Sequence, residues 1–262
     1  MKFHVVIGQV PIGWDPAENT RQVISFLRTE CGPGCLAVLP EAVLSGYDDE
    51  LSGLEALDAA ALRDAQAAVG AAAAGLGVHV LAGSLLPANG GWSNAALYFG
   101  PAGERWTYRK VNLATHERGR LVAGSALPLL DVPARPGSES VSIGVQLCRE
   151  LKFPEQWHVL ARTGASVFAY LTYAANPKVA AGVWRSHLIS RAAETQRFVL
   201  AANVASPDQH CPSMVISPHG DVLAESATTG PEVLHADLDL TQTSDWLLSQ
   251  QRRDVVAVSY LQ

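Results

Sequence analysis

The sequence predicts an α/β fold in which two β-sheets lie face to face, with helices packed on both outer faces. Two observations carry this reading. Strand-like and helical patterns alternate along the chain, and each half yields strands, helices and a hairpin with no linker between the halves. The expected organisation is therefore a single domain over residues 1–262 with an internal two-fold resemblance.

The first half starts with an apolar, β-branched strand over residues 2–10. Asp15-Pro16-Ala17-Glu18 then opens a helix, with Asp15 as N-cap, Pro16 at the first helical position and Glu18 three residues after the cap; it runs to about Glu30. Residues 36–39 form a short buried strand that ends at Pro40-Glu41. An alanine-rich helix covers 58–74 and a strand 78–84. Residues 94–99 and 104–110 make a hairpin around Gly100-Pro101-Ala102-Gly103. In the second half a strand at 140–147 delivers Cys148, and Pro154 opens a helix through about Thr163. A strand at 165–171, a helix at 180–196, a strand at 198–204 and a hairpin turning at Pro218-His219-Gly220-Asp221 follow. Glu41, Lys110 and Cys148 all fall at or just after strand ends, where α/β folds collect catalytic groups.

Composition excludes several function classes. Hydrophobic residues make up 48% and charged residues 17%, a globular composition without a disordered tract. The net charge is −6 and Lys and Arg do not cluster, which argues against a nucleic-acid partner. The longest apolar runs contain glycine and fall short of a membrane span. The apolar run at the N-terminus is too short for a signal peptide, so a cytoplasmic location is expected. The four cysteines are then expected as thiols. Cys31 and Cys35, in CGPGC, lack a second ligand pair at zinc spacing and read as a Gly/Pro turn. The eight histidines form no HxH or HxxxH pair, which disfavours a metal enzyme.

Three residues have chemistry suited to their positions. Cys148 at a strand end, with a Pro-capped helix close behind, can sit in a tight turn whose backbone N–H groups stabilise a thiolate or an oxyanion. A buried, inert cysteine is the alternative. Glu41 lies just past a buried strand, where burial can raise a carboxyl pKa toward that of a general base. It can equally be a helix N-terminal acid. Lys110 could favour a thiolate and donate to an oxyanion, or be a solvated hairpin lysine.

The segments LPEAVLSGY, YRKVNLATHE and GVQLCRELKFPEQW, in this order, resemble the signature blocks of the nitrilase (carbon–nitrogen hydrolase) superfamily. Trp184-Arg185, the run Arg191 to Val199, Asn203, Ser213, Pro218-His219-Gly220 and Gln251-Arg252-Arg253-Asp254 extend the resemblance over nearly the whole chain. It implies a Glu41–Lys110–Cys148 triad, with Glu117 as a second glutamate that positions substrate or Lys110. It also implies a four-layer αββα sandwich that dimerises to αββα–αββα, with the helix begun by Phe153–Trp157 at the interface. That apolar segment would be exposed in a monomer. The chain departs from the commonest family pattern at Glu150, where Asp is usual, at Cys211 and Pro212 in the hairpin, and at Thr195.

The activity so implied is hydrolysis of a small linear amide through a Cys148 thioester, with no metal or organic cofactor. The rivals are a carbamoyl-amide or ureido hydrolase, a nitrilase proper, and a catalytically silent member of the fold. Tyr47, His116, Arg149 and Tyr173 are the expected substrate-binding residues. A packing aromatic, a solvated loop residue and a surface ion-pair partner are the blander readings of the first three. The expected partners are the amide substrate and a second copy of the chain.

Overall fold

A computed structural model describes residues 2–133, 139–252 and 254–255. Arg253 of the closing motif lies outside the described residues. Two six-stranded sheets form the centre. The first half supplies β1 (Lys2–Gln9), α1 (Pro16–Glu30), β2 (Leu36–Val38), α2 (Ala59–Leu76), β3 (His79–Ala88), β4 (Gly91–Phe99) and β5 (Arg105–Arg109). The second supplies β6 (Leu129–Pro133), β7 (Ser140–Leu147), α3 (Pro154–Arg162), β8 (Val167–Thr172), α4 (Val183–Thr195), β9 (Phe198–Asn203), β10 (Met214–Ile216), β11 (Val222–Glu225), β12 (Glu232–Asp239) and the short α5 (Trp246–Ser249).

One sheet has the order β12-β1-β2-β3-β4-β5, the other β11-β10-β9-β8-β7-β6. In each, three neighbouring strands run parallel (β1–β3 and β7–β9) and the rest are antiparallel. Helices α1 and α2 follow β1 and β2, as α3 and α4 follow β7 and β8. The predicted internal two-fold is present, but it is closed differently from the sequence reading. Strands β6 and β12 were not anticipated, and β12 leaves the second half to pair with β1, from Lys2↔Asp239 to Gln9↔Glu232. Edge strands of this kind carry polar residues on their solvent side and give a weak alternation, and in β12 only Leu234 and Leu238 are buried. Strands β3 and β4 run past the expected 78–84 and 94–99 and pair with each other as a hairpin, an arrangement the sequence reading did not include, reaching Ala88↔Gly91. Pro87 lies within it and reads in sequence as a strand breaker.

The packing follows the predicted layers. Phe3, Val5 and Ile7 of one sheet meet Val145, Leu147 and Leu200 of the other. Val23, Leu27 and Val69 bury α1 and α2 on the first outer face, and Trp157, Leu160 and Leu188 bury α3 and α4 on the second. The result is an αββα sandwich. Asp15 caps α1 by accepting from the N–H groups of Ala17 and Glu18, with Pro16 in the first turn. One expectation is corrected here. Trp157 is fully buried within its own chain, its ring 4.9 Å from that of Phe168, so it is not left exposed by a monomer.

Candidate active site

Three strand ends converge from two sheets. Glu41 follows β2 in a turn pinned to β3: Gly83 N–H donates to Pro40 C=O (3.1 Å) and Leu44 N–H to Gly83 C=O (3.1 Å). Gly83 is required there, because a Cβ would lie 2.1 Å from Ala42 N. Lys110 follows β5, its N–H bonded to Asn94 C=O at 2.8 Å and its C=O accepting from Gly124 N–H at 2.8 Å. Cys148 follows β7 in the other sheet, opening a 3-10 turn over Cys148–Lys152. Its φ of 40° is in the left-handed region, a conformation that non-glycine residues seldom adopt and that recurs at functional sites. The Tyr170 hydroxyl donates to the Cys148 carbonyl at 2.8 Å and helps to hold it there.

The charged groups form one buried cluster. Lys110 Nζ lies 2.8 Å from Glu41 Oε1 and 2.9 Å from Glu117 Oε2. All three residues are 0% exposed, which excludes a solvated role for any of them. Asn94 Nδ2 donates to both carboxylates, at 2.8 Å each. Glu117 also accepts from the Tyr47 hydroxyl (2.8 Å) and Ala114 N–H (2.6 Å), and Glu41 from Tyr173 N–H (2.9 Å). Cys148 is buried too, though at 9% it keeps slightly more exposure than the three charged residues.

The buried groups also shift one another's titration. Burial would lower the Lys110 pKa, but the Glu41 and Glu117 charges outweigh it and hold the ammonium above its ordinary value. Burial would likewise raise Glu117, yet Lys110 and Asn94 keep it below the usual carboxylate value. Cys148 is pushed up by burial and then by the Glu41 charge, more than Lys110 and a hydrogen bond with Thr172 lower it. The resting group is a neutral thiol beside a carboxylate.

The predicted lining residues divide into two groups. Tyr47, His116 and Tyr173 pack together: Tyr47 Oη lies 2.7 Å from a His116 ring nitrogen, and the two tyrosine rings are 5.4 Å apart. Tyr47 is buried and directs its hydroxyl at Glu117, which makes it a support of the cluster as much as a wall. Arg149 lies in the Cys148 turn, with its buried Nε unpartnered among the described residues. Sequence reasoning missed Asn94 and Thr172. Asn94 left one usable signal, a lone amide in the apolar stretch Ala95 to Phe99 and its flank. Cys31 and Cys35 lie in the turn between α1 and β2 as thiols. Among the described residues, no group of three or more His, Cys, Asp or Glu side chains is placed to hold a metal ion.

Fold and site together define a class: an αββα hydrolase with a buried thiol beside a carboxylate–ammonium–carboxylate cluster. The carbon-nitrogen hydrolase family model matches residues 5–247, and the chain belongs to that family. It is 30% identical over 254 residues to 2-oxoglutaramate amidase of Bacillus subtilis, covering 94% of each chain. It is 24% identical over 291 residues to the omega-amidase NIT2 of Danio rerio, covering 100% of this chain and 99% of the relative. Among solved structures, Saccharomyces cerevisiae Nit3 superposes with a TM-score of 0.75 at 22% identity, covering 95% of this chain and 94% of that one. A mutant amidase of Nesterenkonia sp. AN1, with acrylamide added at its active-site cysteine, superposes with a TM-score of 0.77 at 20% identity, covering 97% and 98%. The protein is accordingly a cysteine-dependent amidase.

Proposed function

We propose that Cys148 is the nucleophile, Glu41 the general base and Lys110 an oxyanion donor, with Glu117 positioning Lys110, and that the substrate is the ω-amide of a short dicarboxylic acid. The buried Glu41–Lys110–Glu117 cluster beside a neutral thiol carries the catalytic part. Because the thiol is held protonated, attack requires a base, and Glu41 is the carboxylate with the greater influence on it. Glu41 takes the thiol proton as sulfur attacks the amide carbon. Lys110 and the N–H of Arg149 receive the charge on the oxygen. Glu41 then protonates the leaving nitrogen, the C–N bond breaks, and ammonia departs from a thioester. In the second half, Glu41 deprotonates water, which attacks the thioester carbonyl, and the proton returns to the sulfur as the acid leaves.

The acid end of the substrate has support in the turn that bears Cys148. Arg149 and Lys152 both project from it, and they lie within electrostatic reach of one another and of His210. The Arg149 Nε and the His210 Nε2 are buried without partners among the described residues. Such a group of donors suits a carboxylate, and the amidase of Bacillus subtilis is named for an amide that carries one.

An ammonia-release screen tests the reading. Simple amides, ω-amides of dicarboxylic acids, N-carbamoyl amino acids and nitriles are compared at equal concentration. Fastest turnover of the ω-amides is expected. Carbon dioxide release from the carbamoyl compounds, or consumption of a nitrile, in place of amide turnover would replace the substrate assignment.

The homodimer is part of the same proposal. Its support is the exposure of Trp246 (64%) and Leu247 (39%) on α5. Sedimentation that shows only monomer at micromolar concentration would count against it. The cytoplasm suits the four unpaired thiols, and no helix among the described residues is long and apolar enough to cross a membrane.

A further inference from the structure

We infer that Glu150 is a positioning residue that fastens the nucleophile turn of one sheet to the lysine turn of the other. It lies two residues after Cys148 and is fully buried. Its Oε2 accepts from the N–H of Leu147, the residue immediately before the nucleophile, at 2.8 Å. Its Oε1 accepts from the N–H groups of Val111 (2.9 Å) and Asn112 (3.0 Å), the two residues immediately after Lys110. The Tyr108 hydroxyl, two residues before Lys110, donates to the same oxygen at 2.6 Å. One carboxylate therefore bridges the end of β7 and the end of β5, which belong to different sheets and are not paired with each other.

The rest of Glu150 is held as well. Its backbone C=O accepts from Trp157 Nε1 and from Phe153 N–H, both at 3.1 Å, which ties the turn to the start of α3. All four partners of the carboxylate are donors, as an acceptor-only side chain requires, and they oppose the burial that raises its pKa. With both oxygens committed, Glu150 is not a substrate contact. Its effect on the reaction passes through the distance between the Cys148 sulfur and the Lys110 ammonium. That distance must be right when the oxyanion forms, and a displacement of about 1 Å can reduce a rate on the order of 100-fold. The chain holds this bridge with a glutamate, one methylene longer than aspartate.

The inference rests on the Cys148 and Lys110 assignments above, and Cys148→Ala run in parallel separates the two. If Cys148→Ala keeps its activity, the catalytic assignment fails. If it is dead while Glu150→Gln behaves as wild type, only the bridge fails. The test uses Glu150→Gln, Glu150→Asp and Tyr108→Phe, each with its melting temperature, kcat and KM on an amide that the wild type hydrolyses. A glutamine must turn an NH2 toward a donor, either Leu147 or the Val111–Asn112–Tyr108 group, and so breaks one end of the bridge. The expected result for Glu150→Gln is a kcat at least about 30-fold lower, KM within roughly threefold, and Cys148 still alkylated by iodoacetamide. Glu150→Asp, which keeps the charge, should recover a good part of the loss. Tyr108→Phe, which removes one of four donors, should lower kcat about fivefold. A folded Glu150→Gln protein with kcat within about twofold of wild type overturns the inference, as does a loss carried by KM, or an Asp variant no better than Gln. If Glu150→Gln does not fold, Tyr108→Phe decides: an unchanged kcat overturns the inference, and a selective loss of kcat supports it.

Discussion

Replacing Gly83 by alanine should disable the enzyme without touching any charged group. The added Cβ would lie 2.1 Å from Ala42 N, 2.5 Å from Glu41 Cα and 2.6 Å from Glu41 C. All three are backbone atoms, so no side chain can swing aside. Restoring ordinary contact at 3.4 Å requires the Glu41 turn and β3 to separate by about 1 Å. The hydrogen bonds from Gly83 N–H to Pro40 and from Leu44 N–H to Gly83 resist that movement, and Glu41 must hold its 2.8 Å contact with Lys110 throughout. A base misplaced by about 1 Å implies on the order of a 100-fold loss, roughly 2.7 kcal/mol of transition-state stabilisation. Overpacking should also lower stability by about 1–3 kcal/mol. The assay is steady-state ammonia release together with a thermal melt. Gly75→Ala is the control: it lies in α2, where an added Cβ meets nothing within 4 Å, and should leave turnover unchanged while stabilising by about 0.5–1 kcal/mol. Near wild-type turnover in a folded Gly83→Ala protein would refute the argument that this close approach sets the position of Glu41.

Three further outcomes are expected. Cys148→Ala should abolish turnover and keep the fold, and residual activity of more than about 1% by ammonia release would remove Cys148 as nucleophile. Glu117→Gln should fold, still alkylate at Cys148, and turn over at least tenfold more slowly, about 1.4 kcal/mol, because an amide cannot accept from Lys110, Tyr47, Asn94 and Ala114 together; wild-type kinetics would take Glu117 out of the site. Burial and the Glu41 charge raise the Cys148 thiol well above its ordinary value of 9.0, so it is still mostly neutral when pH reaches that value and its small thiolate fraction keeps growing with pH. Iodoacetamide alkylation of the free enzyme should therefore climb steadily with pH, and a plateau near neutrality would reveal a resident thiolate and remove the need for Glu41 as base.

Much of this was legible in the sequence, for identifiable reasons. Strong local signals marked α1, where Asp15, Pro16 and Glu18 stand in capping order, and the parallel strands, which are buried runs of β-branched and other apolar residues. Family resemblance marked Glu41, Lys110, Glu117 and Cys148, which composition alone left open to bland alternatives. The burial of Glu117 was not legible, since its own neighbours Thr115, Arg118 and Arg120 are exposed and the side chains that enclose it include Tyr47, 70 residues away, and Asn94, 23 residues away. The same applies to Asn94 and Thr172, whose partners are brought to them by other segments of their own half: Glu41 and Glu117 lie 53 and 23 residues from Asn94, and Cys148 follows β7, the neighbour of the β8 strand that bears Thr172. Trp157 misled for a related reason: its burial is provided by Phe168 and Tyr170 of β8, on the sheet beneath α3.

The pairing of β12 with β1 also has a meaning for synthesis. The first strand of the chain receives its outer neighbour from residues 232–239, more than two hundred positions later. Until that segment leaves the ribosome, β1 presents an unpaired edge of N–H and C=O groups to whatever is near. The nascent first half is therefore open to strand addition until residues 232–239 emerge, at an edge of the strand bearing Val5 and Ile7, which are wholly buried in the finished sheet. Protection of this edge of β1 waits on β12.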